Sequence, residues 1–519
     1  MIVGLCVGGM TVLGCGDEDD DPALPKENTE DVCRDGIDND GDGATDNADA
    51  ECTGFLPPIV IEKPDAPEET IDFDGLNGFA QNPIVSHIFT ADPSANVFDG
   101  RVYIYASHDL DDQTDYDMND YHIFSSDDLV NWQDHGVMLD AKDVSWAGLF
   151  YAPDAAYSET TGKYYLYFPA GAAGVGVAVS DTPYGPFEDA LGEPLIDSRT
   201  PGVEDVDWIF DPTCFVDDDG QAYLYFGGGM PDTGDNLRVI RLNDDMISLK
   251  DEEATTIVAP DFFEAAFMHK RDGVYYLSYS TTFASHSAEI DYLMSDDPMT
   301  GFEYVGTILP NPDNNNGNNN HHSIIEYEGE WYIFYHNRVL SNQQGLTDYQ
   351  RSITLDHLSY NDDGTIEEVS ATMGKVAQLK PLDAYARMEA ETMAAQGGIE
   401  TDFVVVDSEN AGVMVTDIHD QDWIGYSQVD FGESAKSFTA SVASKEGGTI
   451  HLFIDGTDLF TDLKGEQIAT CKVESTGGPQ KWDTIECGIE PTGGVHDLYL
   501  RFEGDGDDSL LNVDYFQFE

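Results

Sequence analysis

Five copies of one short aromatic strand constrain the fold more than any other feature of this chain. Their central tyrosines follow one another at steps of 62, 58, 53 and 56 residues, and a glycine precedes each copy, as in β-hairpin turns. No amphipathic helical pattern lies between the copies. A β-only repeat of this length, present five times, predicts a five-bladed β-propeller. The central residues are Tyr103, Tyr165, Tyr223, Tyr276 and Tyr332, and the glycines are Gly100, Gly162, Gly220, Gly273 and Gly329.

The segments outside the repeats complete an all-β chain. Residues 385–519 carry short alternating strands, which predict a β-sandwich of the jelly-roll type. Residues 16–75 are rich in Asp, Glu, Pro and Gly and cannot bury a core. We therefore expect a signal at residues 1–15, an acidic linker at 16–75, a propeller at 76–382 and a sandwich, joined as a removable module, at 385–519.

The N-terminus predicts export. Residues 2–13 form an apolar run that is too short to span a bilayer. The run ends in Val12-Leu13-Gly14-Cys15, which resembles a bacterial lipobox, although no Lys or Arg precedes it. We expect either a cell-surface lipoprotein anchored through Cys15 or an extracellular protein.

The cysteines agree with an oxidising compartment. Cys33 and Cys52 bracket an acidic segment, and Cys471 and Cys487 lie in the last domain, so both pairs are interpreted as disulfides. Cys214 lies inside a hydrophobic strand and is interpreted as a core residue rather than a nucleophile.

The acidic segment contains a candidate calcium loop. Asp38, Asp40 and Asp42 follow the D-x-D-x-D-G pattern, and Asp49 occupies the twelfth position. Because no helices flank the loop, it looks like a thrombospondin-type calcium repeat. The alternative is a disordered acidic tether.

The charge balance limits the partners. The chain has 101 Asp and Glu residues against 23 Lys and Arg residues, a formal net charge of −78. Such a surface repels nucleic acid, anionic lipid and acidic polysaccharides. We expect a monomer that acts on a neutral polysaccharide or oligosaccharide.

Five polar side chains occupy one equivalent position in the five repeats, eleven or twelve residues before each central tyrosine. Equivalent positions ring the axis of a propeller, so these groups should meet in one funnel and shift each other's pKa values. Two carboxyls with separated pKa values can cleave a glycoside, one as acid and one as base. The alternative is that each caps a turn before a strand. The five residues are Asp92, Asp154, Asp211, Glu264 and His321.

Four ordered motifs resemble glycoside hydrolase family 43 between about residues 82 and 382. They are Thr90-Ala91-Asp92-Pro93, Tyr151-Ala152-Pro153-Asp154, Phe263-Glu264-Ala265-Ala266 and His321-His322-Ser323. The family has a five-bladed propeller and inverts the anomeric configuration. By motif match, Asp92 would be the general base, Glu264 the general acid and Asp154 the group that orients the acid and sets its pKa.

The same resemblance implies residues that contact the sugar or a metal. Asp211, Arg351 and Phe150 would contact the substrate, and His321 would lie at the pore, often as a calcium ligand through water. Tyr151 and the Ala265-Ala266-Phe267 segment depart from the family pattern in the pocket wall. The identity of the sugar therefore stays open.

The C-terminal unit resembles a family 6 carbohydrate-binding module. The resemblance is carried by Glu389-Ala390-Glu391, Asp422-Trp423, Val429-Asp430-Phe431-Gly432 and Asn512-Val513-Asp514. It implies structural calcium on Glu389, Glu391 and Asp514, and a sugar cleft at Trp482 and Asn512.

Together these features predict an inverting glycosidase that releases α-L-arabinofuranosyl or β-xylosyl residues from xylan-type hemicellulose. An endo-arabinanase or a galactan-directed hydrolase of the same family is the nearer alternative. A non-catalytic surface lectin is the alternative of another class.

Overall fold

The computed structural model describes residues 82–519 except 112, 231–234, 285, 312–318, 373–375, 407–408, 457–464 and 506–508. The predicted signal and lipid anchor at Cys15, the Cys33–Cys52 disulfide and the calcium loop of Asp38, Asp40, Asp42 and Asp49 lie outside these residues and stay predictions. Within the described part, no helix has the length and apolar character needed to cross a membrane.

Five antiparallel sheets follow one another along residues 90–358 as the blades of a propeller, which confirms the predicted fold. Blade 1 contains β1 (Thr90–Phe98), β2 (Arg101–His108), β3 (Asp120–Ser126) and β4 (Trp132–Asp140). Blade 2 contains β5 (Asp154–Ser158), β6 (Lys163–Pro169), β7 (Gly174–Ser180), β8 (Glu188–Asp189) and β9 (Ile196–Asp197). Blade 3 contains β10 (Thr213–Val216), β11 (Ala222–Phe226), β12 (Arg238–Arg241) and β13 (Thr255–Thr256).

The last two blades complete the ring. Blade 4 contains β14 (Phe262–Arg271), β15 (Val274–Thr281), β16 (Ile290–Ser295) and β17 (Glu303–Leu309). Blade 5 contains β18 (His322–Tyr327), β19 (Glu330–Asn337) and β20 (Ser352–Leu358). Two short helices lie between strands, a 3-10 turn at Ala141–Asp143 and α1 (Val339–Gln344).

The repeated turn glycines are required by the backbone. All five have a positive φ, between 69° and 83°, and a Cβ atom at any of them would meet no other atom within 4 Å. Backbone conformation, rather than crowding, therefore selects glycine at these turns.

In blades 1 to 3, the repeated aromatic strand ties the blade to the following one. Tyr105, Tyr167 and Tyr225 each lie two residues after a repeat tyrosine and are fully buried. Their hydroxyls donate to backbone carbonyls 78, 79 and 73 residues further along the chain. Each tyrosine thus buries a ring between blades and satisfies its polar end on the following blade.

Residues 82–84 close the ring on blade 5. The Ile84 N–H donates to the carbonyl of Ile353, and the Asn82 amide exchanges two hydrogen bonds with the backbone of Leu355. The segment just before the first blade therefore lies against the last strand of the last blade.

All but one of the C-terminal strands form two facing sheets around one apolar core. In chain order they are β21 (Leu382–Asp383), β22 (Met388–Glu389), β23 (Thr392–Met393), β24 (Ala395–Gly397), β25 (Glu400–Val406), β26 (Glu409–Thr416), β27 (Trp423–Asp430), β28 (Ala435–Ala443), β29 (Gly448–Ile454), β30 (Glu466–Val473), β31 (Trp482–Thr492), β32 (Val495–Glu503) and β33 (Asn512–Phe518). One sheet has the order β21-β27-β32-β29-β30 with β24 on β27. The other has the order β25-β26-β33-β28-β31 with β22 on β33.

Both cysteine predictions within the described residues are confirmed. Cys471 on β30 and Cys487 on β31 form a disulfide, which joins edge strands of the two sheets. Cys214 is buried in an apolar cluster between blades 2 and 3 and has no disulfide partner.

The sandwich is joined to blade 1 rather than tethered beside it. Strand β23 pairs with β4 and becomes the fifth strand of blade 1. The Asn131 side chain accepts a hydrogen bond from the Ser427 N–H at 2.8 Å and donates to the Ser427 carbonyl at 3.1 Å. Cutting the chain after residue 381 would therefore uncover a blade edge, contrary to the expectation of a freely removable module.

We expect Asn131→Ala to destabilise the whole protein. The substitution leaves the buried Ser427 N–H without an acceptor, which costs about 1–3 kcal/mol of the free energy of unfolding. Denaturant unfolding followed by fluorescence measures the loss. The control is Asn361→Ala, which removes an exposed side-chain hydrogen bond to Thr365 and should change little. Equal stability of the two variants would contradict a coupled junction.

Candidate active site

A cavity of about 260 Å³ opens among all five blades. Four of the five polar groups predicted to ring the axis line it, and Asp154 does not. The structure therefore confirms the predicted convergence for four positions. The lining residues are Asp92, Tyr116, Met118, Tyr151, Ala152, Ala172, Trp208, Phe210, Asp211, Phe263, Glu264, Phe283, Asn319, His321 and Arg351.

Irregular backbone aims the acidic side chains into the cavity. Asp92 lies in a bulge between Ala91 and Ser94 with φ of 51°, and Asp211 has φ of 46°. Glu264 lies at register shifts on both sides in the pairing of β14 with β15. A bulge redirects a side chain that regular pairing would send elsewhere. Asp154, by contrast, pairs in register with Tyr167 at the start of β5.

Asp92 is held as a buried carboxylate. Its Oδ1 accepts a hydrogen bond from Arg351 Nη1 at 2.7 Å, and its Oδ2 accepts one from Ser107 Oγ at 2.8 Å. Burial opposes ionisation, but the Arg351 guanidinium, with smaller contributions from His336 and His321, brings the pKa of Asp92 well below its ordinary value. Asp92 is therefore ionised across the neutral range, as a general base requires.

Two neutral imidazoles lie beside Asp92. His336 Nδ1 accepts the Asp92 N–H at 3.4 Å, and burial lowers the pKa of His336 to about 4. His321 Nδ1 lies 3.6 Å from Asp92 Oδ1 and 3.9 Å from Asp211 Oδ2, and burial likewise lowers its pKa to about 4. Sequence reasoning found His321 by its repeat position but missed His336, which lies within β19.

Glu264 has the opposite electrostatics. Burial, followed by repulsion from ionised Asp92, raises the pKa of Glu264 to about 8. Its Oε1 is buried and has no hydrogen-bond partner among the described residues. The protonated form can therefore present its O–H to a bound ligand, which is the task of a general acid.

The structure places Asp211, and not Asp154, in the cavity wall with Glu264. Burial and the charges of Glu264 and Asp92 raise the pKa of Asp211 well above its ordinary value. The Ala265 N–H, next to the acid, donates to Asp211 Oδ2 at 3.3 Å. The role predicted for Asp154 is therefore corrected to Asp211.

Asp154 connects three blades instead. Its Oδ1 accepts from Ser94 Oγ of blade 1, and its Oδ2 accepts from Thr213 Oγ1 at 2.9 Å and from the Cys214 N–H at 2.6 Å, both of blade 3. With both oxygens engaged away from the cavity, this side chain supports the ring.

Two further predictions of substrate contact are changed by the structure. Phe150 is fully buried and stacks on Tyr121 with ring centroids 5.0 Å apart, so it lies in the core between blades 1 and 2, and the next residue, Tyr151, reaches the cavity instead. Arg351 lines the cavity, but its guanidinium is bonded to Asp92 and Asp109, so it acts first on the charge of Asp92.

An aromatic wall was not predicted from the sequence. The Trp208 and Phe263 rings meet edge to face at 5.4 Å, and Phe263 meets Phe283 at 5.1 Å. A Cβ on Gly228 would come within 2.2 Å of the Phe210 ring, so glycine permits this packing. Apolar ring faces beside carboxyls are suited to a sugar, whose C–H face stacks while its hydroxyls bond.

The predicted sugar cleft of the sandwich is only partly accessible. Asn512 is buried, its amide donates to the Pro479 carbonyl at 2.8 Å, and its oxygen accepts from Thr416 Oγ1 at 2.9 Å. One N–H and one lone pair of the Asn512 amide are thus engaged within the domain, and its role as a ligand contact stays a prediction. Trp482 at the start of β31 is half-buried, and its proposed role stays a prediction.

The three predicted calcium carboxylates of the sandwich lie near one another, since the charge of Glu389 acts on both Glu391 and Asp514, and the calcium site stays a prediction. Arg387 bonds Glu389 at 2.7 Å and lies 3.6 Å from Asp514, so a guanidinium already neutralises two of the three. Glu391 Oε2 is buried and has no hydrogen-bond partner. Among the described residues, the ligand atoms of these carboxylates are not clustered closely enough in this side-chain arrangement to surround a metal ion. The described part of the chain brings together a different set, His108, Asp120 and His122, as a group that could hold a metal.

The activity should fall as the pH rises through about 8. Glu264 must carry a proton to serve as the acid, and its pKa of about 8 sets the pH at which that proton is lost. The measurement is kcat/KM against pH on a substrate with a poor leaving group. Glu264→Gln should abolish this fall of kcat/KM at high pH, the alkaline limb of the profile. The same variant should keep its activity on substrates with good leaving groups. An unchanged limb in that variant would assign the acid to another residue.

Asp154→Asn and Asp211→Asn should behave differently. An amide cannot accept all three hydrogen bonds of Asp154, so this variant should lose about 1–3 kcal/mol of stability and keep its pH profile. Asp211→Asn should change the alkaline limb, because Asp211 and Glu264 interact electrostatically in the cavity wall and titrate as a pair. Melting temperatures and pH–rate profiles separate the two. The reverse pattern would restore the role first predicted for Asp154.

Comparison with known proteins agrees with this geometry. The sequence model of glycosyl hydrolases family 43 matches residues 80–366, and that of the family 6 carbohydrate-binding module matches residues 389–519. An arabinoxylan arabinofuranohydrolase of Paenibacillus polymyxa is 40% identical over 476 residues, which cover 84% of this chain and 74% of that protein. The enzyme of the same name from Bacillus subtilis is 39% identical, with 84% and 92% of the two chains covered.

Solved structures give the same result. The crystal structure of a family 43 arabinoxylan arabinofuranohydrolase from Bacillus subtilis, in complex with cellotetraose, has a TM-score of 0.78 at 37% identity. The alignment covers 85% of this chain and 99% of that one. An α-L-arabinofuranosidase from Clostridium thermocellum is 51% identical with a TM-score of 0.50, and covers 57% of this chain and 98% of its own.

Proposed function

The chain belongs to glycosyl hydrolases family 43, and from that membership we propose that it removes single α-L-arabinofuranosyl residues from arabinoxylan with inversion of configuration. The observation that carries the proposal is the charge separation in the cavity. Asp92 is ionised beside Arg351, whereas Glu264 is protonated near neutrality. One base and one acid in a single cavity are what a single-displacement glycosidase needs.

In the proposed reaction Asp92 takes a proton from a water molecule, and that water attacks the anomeric carbon. Glu264 gives its proton to the departing glycosidic oxygen. Burial and the charge of Asp92 keep the pKa of the acid high, Arg351 keeps Asp92 ionised, and Asp211 lies beside the acid in the cavity wall. The step leaves Asp92 protonated and Glu264 ionised, so one proton must move through solvent before the next turnover.

The choice of arabinofuranose rests on similarity over both domains. The two arabinofuranohydrolases align with 84% of the chain at 40% and 39% identity. A xylosidase/arabinosidase of Humicola insolens aligns with 55% of it, and one of Thermoclostridium stercorarium aligns with 81% of it at only 28% identity. Release of β-xylosyl residues is the second candidate, supported by the Humicola insolens relative.

The sandwich domain gives the proposed substrate a second contact. Its match to a carbohydrate-binding module supports attachment to a plant polysaccharide near the cavity. A binding module raises the local substrate concentration without taking part in the chemistry. Because this module also packs on blade 1, its contribution must be measured by surface substitution rather than by deletion.

Proton NMR during hydrolysis of arabinoxylan tests the proposal. We expect free arabinofuranose of inverted anomeric configuration as the first product, with the xylan chain length unchanged. Asp92→Asn should lower kcat by about 10²–10⁴-fold and leave KM nearly unchanged, since the base acts in the transition state. Xylose as the main product would favour the second candidate, and shortened chains would favour endo action. Retained configuration would overturn the mechanism.

A further inference from the structure

We propose that blade 1 carries a site for a divalent transition metal of the zinc type, formed by His108, Asp120 and His122. One ligand atom from each of the three lies within 4.8 Å of the other two. The group lies outside the cavity described above, and no step of the proposed reaction uses it.

Strand geometry brings the three side chains to one face. Asp120 and His122 are two residues apart on β3, so they point to the same side of the sheet. On the neighbouring strand, Ser107 pairs with Tyr121, which places His108 directly opposite Asp120. Two imidazoles and one carboxylate therefore converge without any loop having to move.

The separations fit a metal ion. His108 Nδ1 lies 2.9 Å from Asp120 Oδ1, and His122 Nε2 lies 3.8 Å from the same oxygen. Ligand atoms about 2.0–2.2 Å from a tetrahedral zinc ion are roughly 3.3 Å apart, which lies between these two values. Two imidazoles with one carboxylate suit zinc and its neighbours, whereas calcium prefers oxygen ligands.

A second carboxylate, that of Asp134, contacts the ring nitrogen of His122 that faces away from Asp120. His122 Nδ1 lies 3.4 Å from Asp134 Oδ1, and this carboxylate favours the tautomer with the proton on Nδ1, which leaves Nε2 to face Asp120. Metal-binding histidines characteristically use their other nitrogen in this way. Asp134 is itself fixed by the Gly136 N–H at 2.7 Å and by His87 at 2.9 Å. This second layer of contacts, behind the three proposed ligands, distinguishes a metal site from a chance cluster of polar side chains.

The site also lies at the junction of the two domains. Thr401 of β25 donates to Asp134 Oδ2 at 2.7 Å, and a Cβ on Gly136 would touch the Phe403 ring of the sandwich. A metal bound here would connect β2 with β3 and, through Asp134, reinforce the contact between propeller and sandwich.

The test uses the full-length protein, freed of any histidine tag and treated with chelator. Isothermal titration with Zn²⁺ should show one equivalent bound, and Co²⁺ should give the visible absorption of a low-symmetry nitrogen and oxygen site. His108→Asn and His122→Gln should each weaken zinc binding at least tenfold, and Asp134→Asn by about 10–100-fold. The matched control is His357→Asn, since His357 forms an exposed pair with Glu330 at the same 2.9 Å separation.

A measurement on the unaltered protein avoids reliance on folded variants. Zinc should protect His108 and His122, and not His357, from diethyl pyrocarbonate, as mapped by mass spectrometry. It should also raise the melting temperature of the wild type but not of His108→Asn. Absence of stoichiometric binding, zinc binding that survives both histidine substitutions, or displacement of zinc by calcium would each overturn the site and leave a hydrogen-bonded cluster.

Discussion

The buried ion pair between Arg351 and Asp92 is the interaction on which the rest of the site depends. Arg351 directly precedes the last strand of blade 5, and Asp92 lies in the first strand of blade 1. Arg351 is fixed in turn by Asp109, through Nε and Nη2 at 2.8 Å each. Removing one partner from such a group would leave an uncompensated buried charge, which costs several kcal/mol. The contact therefore joins the two ends of the ring and sets the charge of the proposed base.

The difference between the two proposed catalytic carboxyls follows from that ion pair. One guanidinium is shared by two carboxylates, Asp92 and Asp109, so it offsets only part of the cost of ionising another acid in the cavity. Glu264 and Asp211 are buried in the field of Asp92 and therefore keep their protons more strongly than free acids. A single cation placed at the first and last blades thus assigns the ionised form to one residue and the protonated form to the others.

The sequence was sufficient to predict the repeats, but not to predict which side of its strand an individual side chain faces. A turn glycine and a repeat tyrosine recur in every blade, so the propeller and four cavity positions could be predicted. Asp154 occupies the same repeat position as Asp211, but regular pairing turns it into the ring, whereas a positive φ turns Asp211 into the cavity. Phe150 and Tyr151 differ by one residue and therefore by the side they face. The junction at Asn131 and Ser427 joins residues that are 296 positions apart in the sequence, and no local sequence pattern predicts such a contact.

The acidic surface does not govern the site, although the chain carries a net charge of −78. Exposed carboxylates more than a Debye length away, about 8 Å at physiological ionic strength, are largely screened by salt. The contacts that set the charge of Asp92 are buried and lie within 2.7–3.6 Å, where water and salt do not intervene. Local pairing therefore determines the ionisation of the cavity. Surface charge is left to act on solubility and on which polymers approach, and a neutral polysaccharide is the class that this surface does not repel.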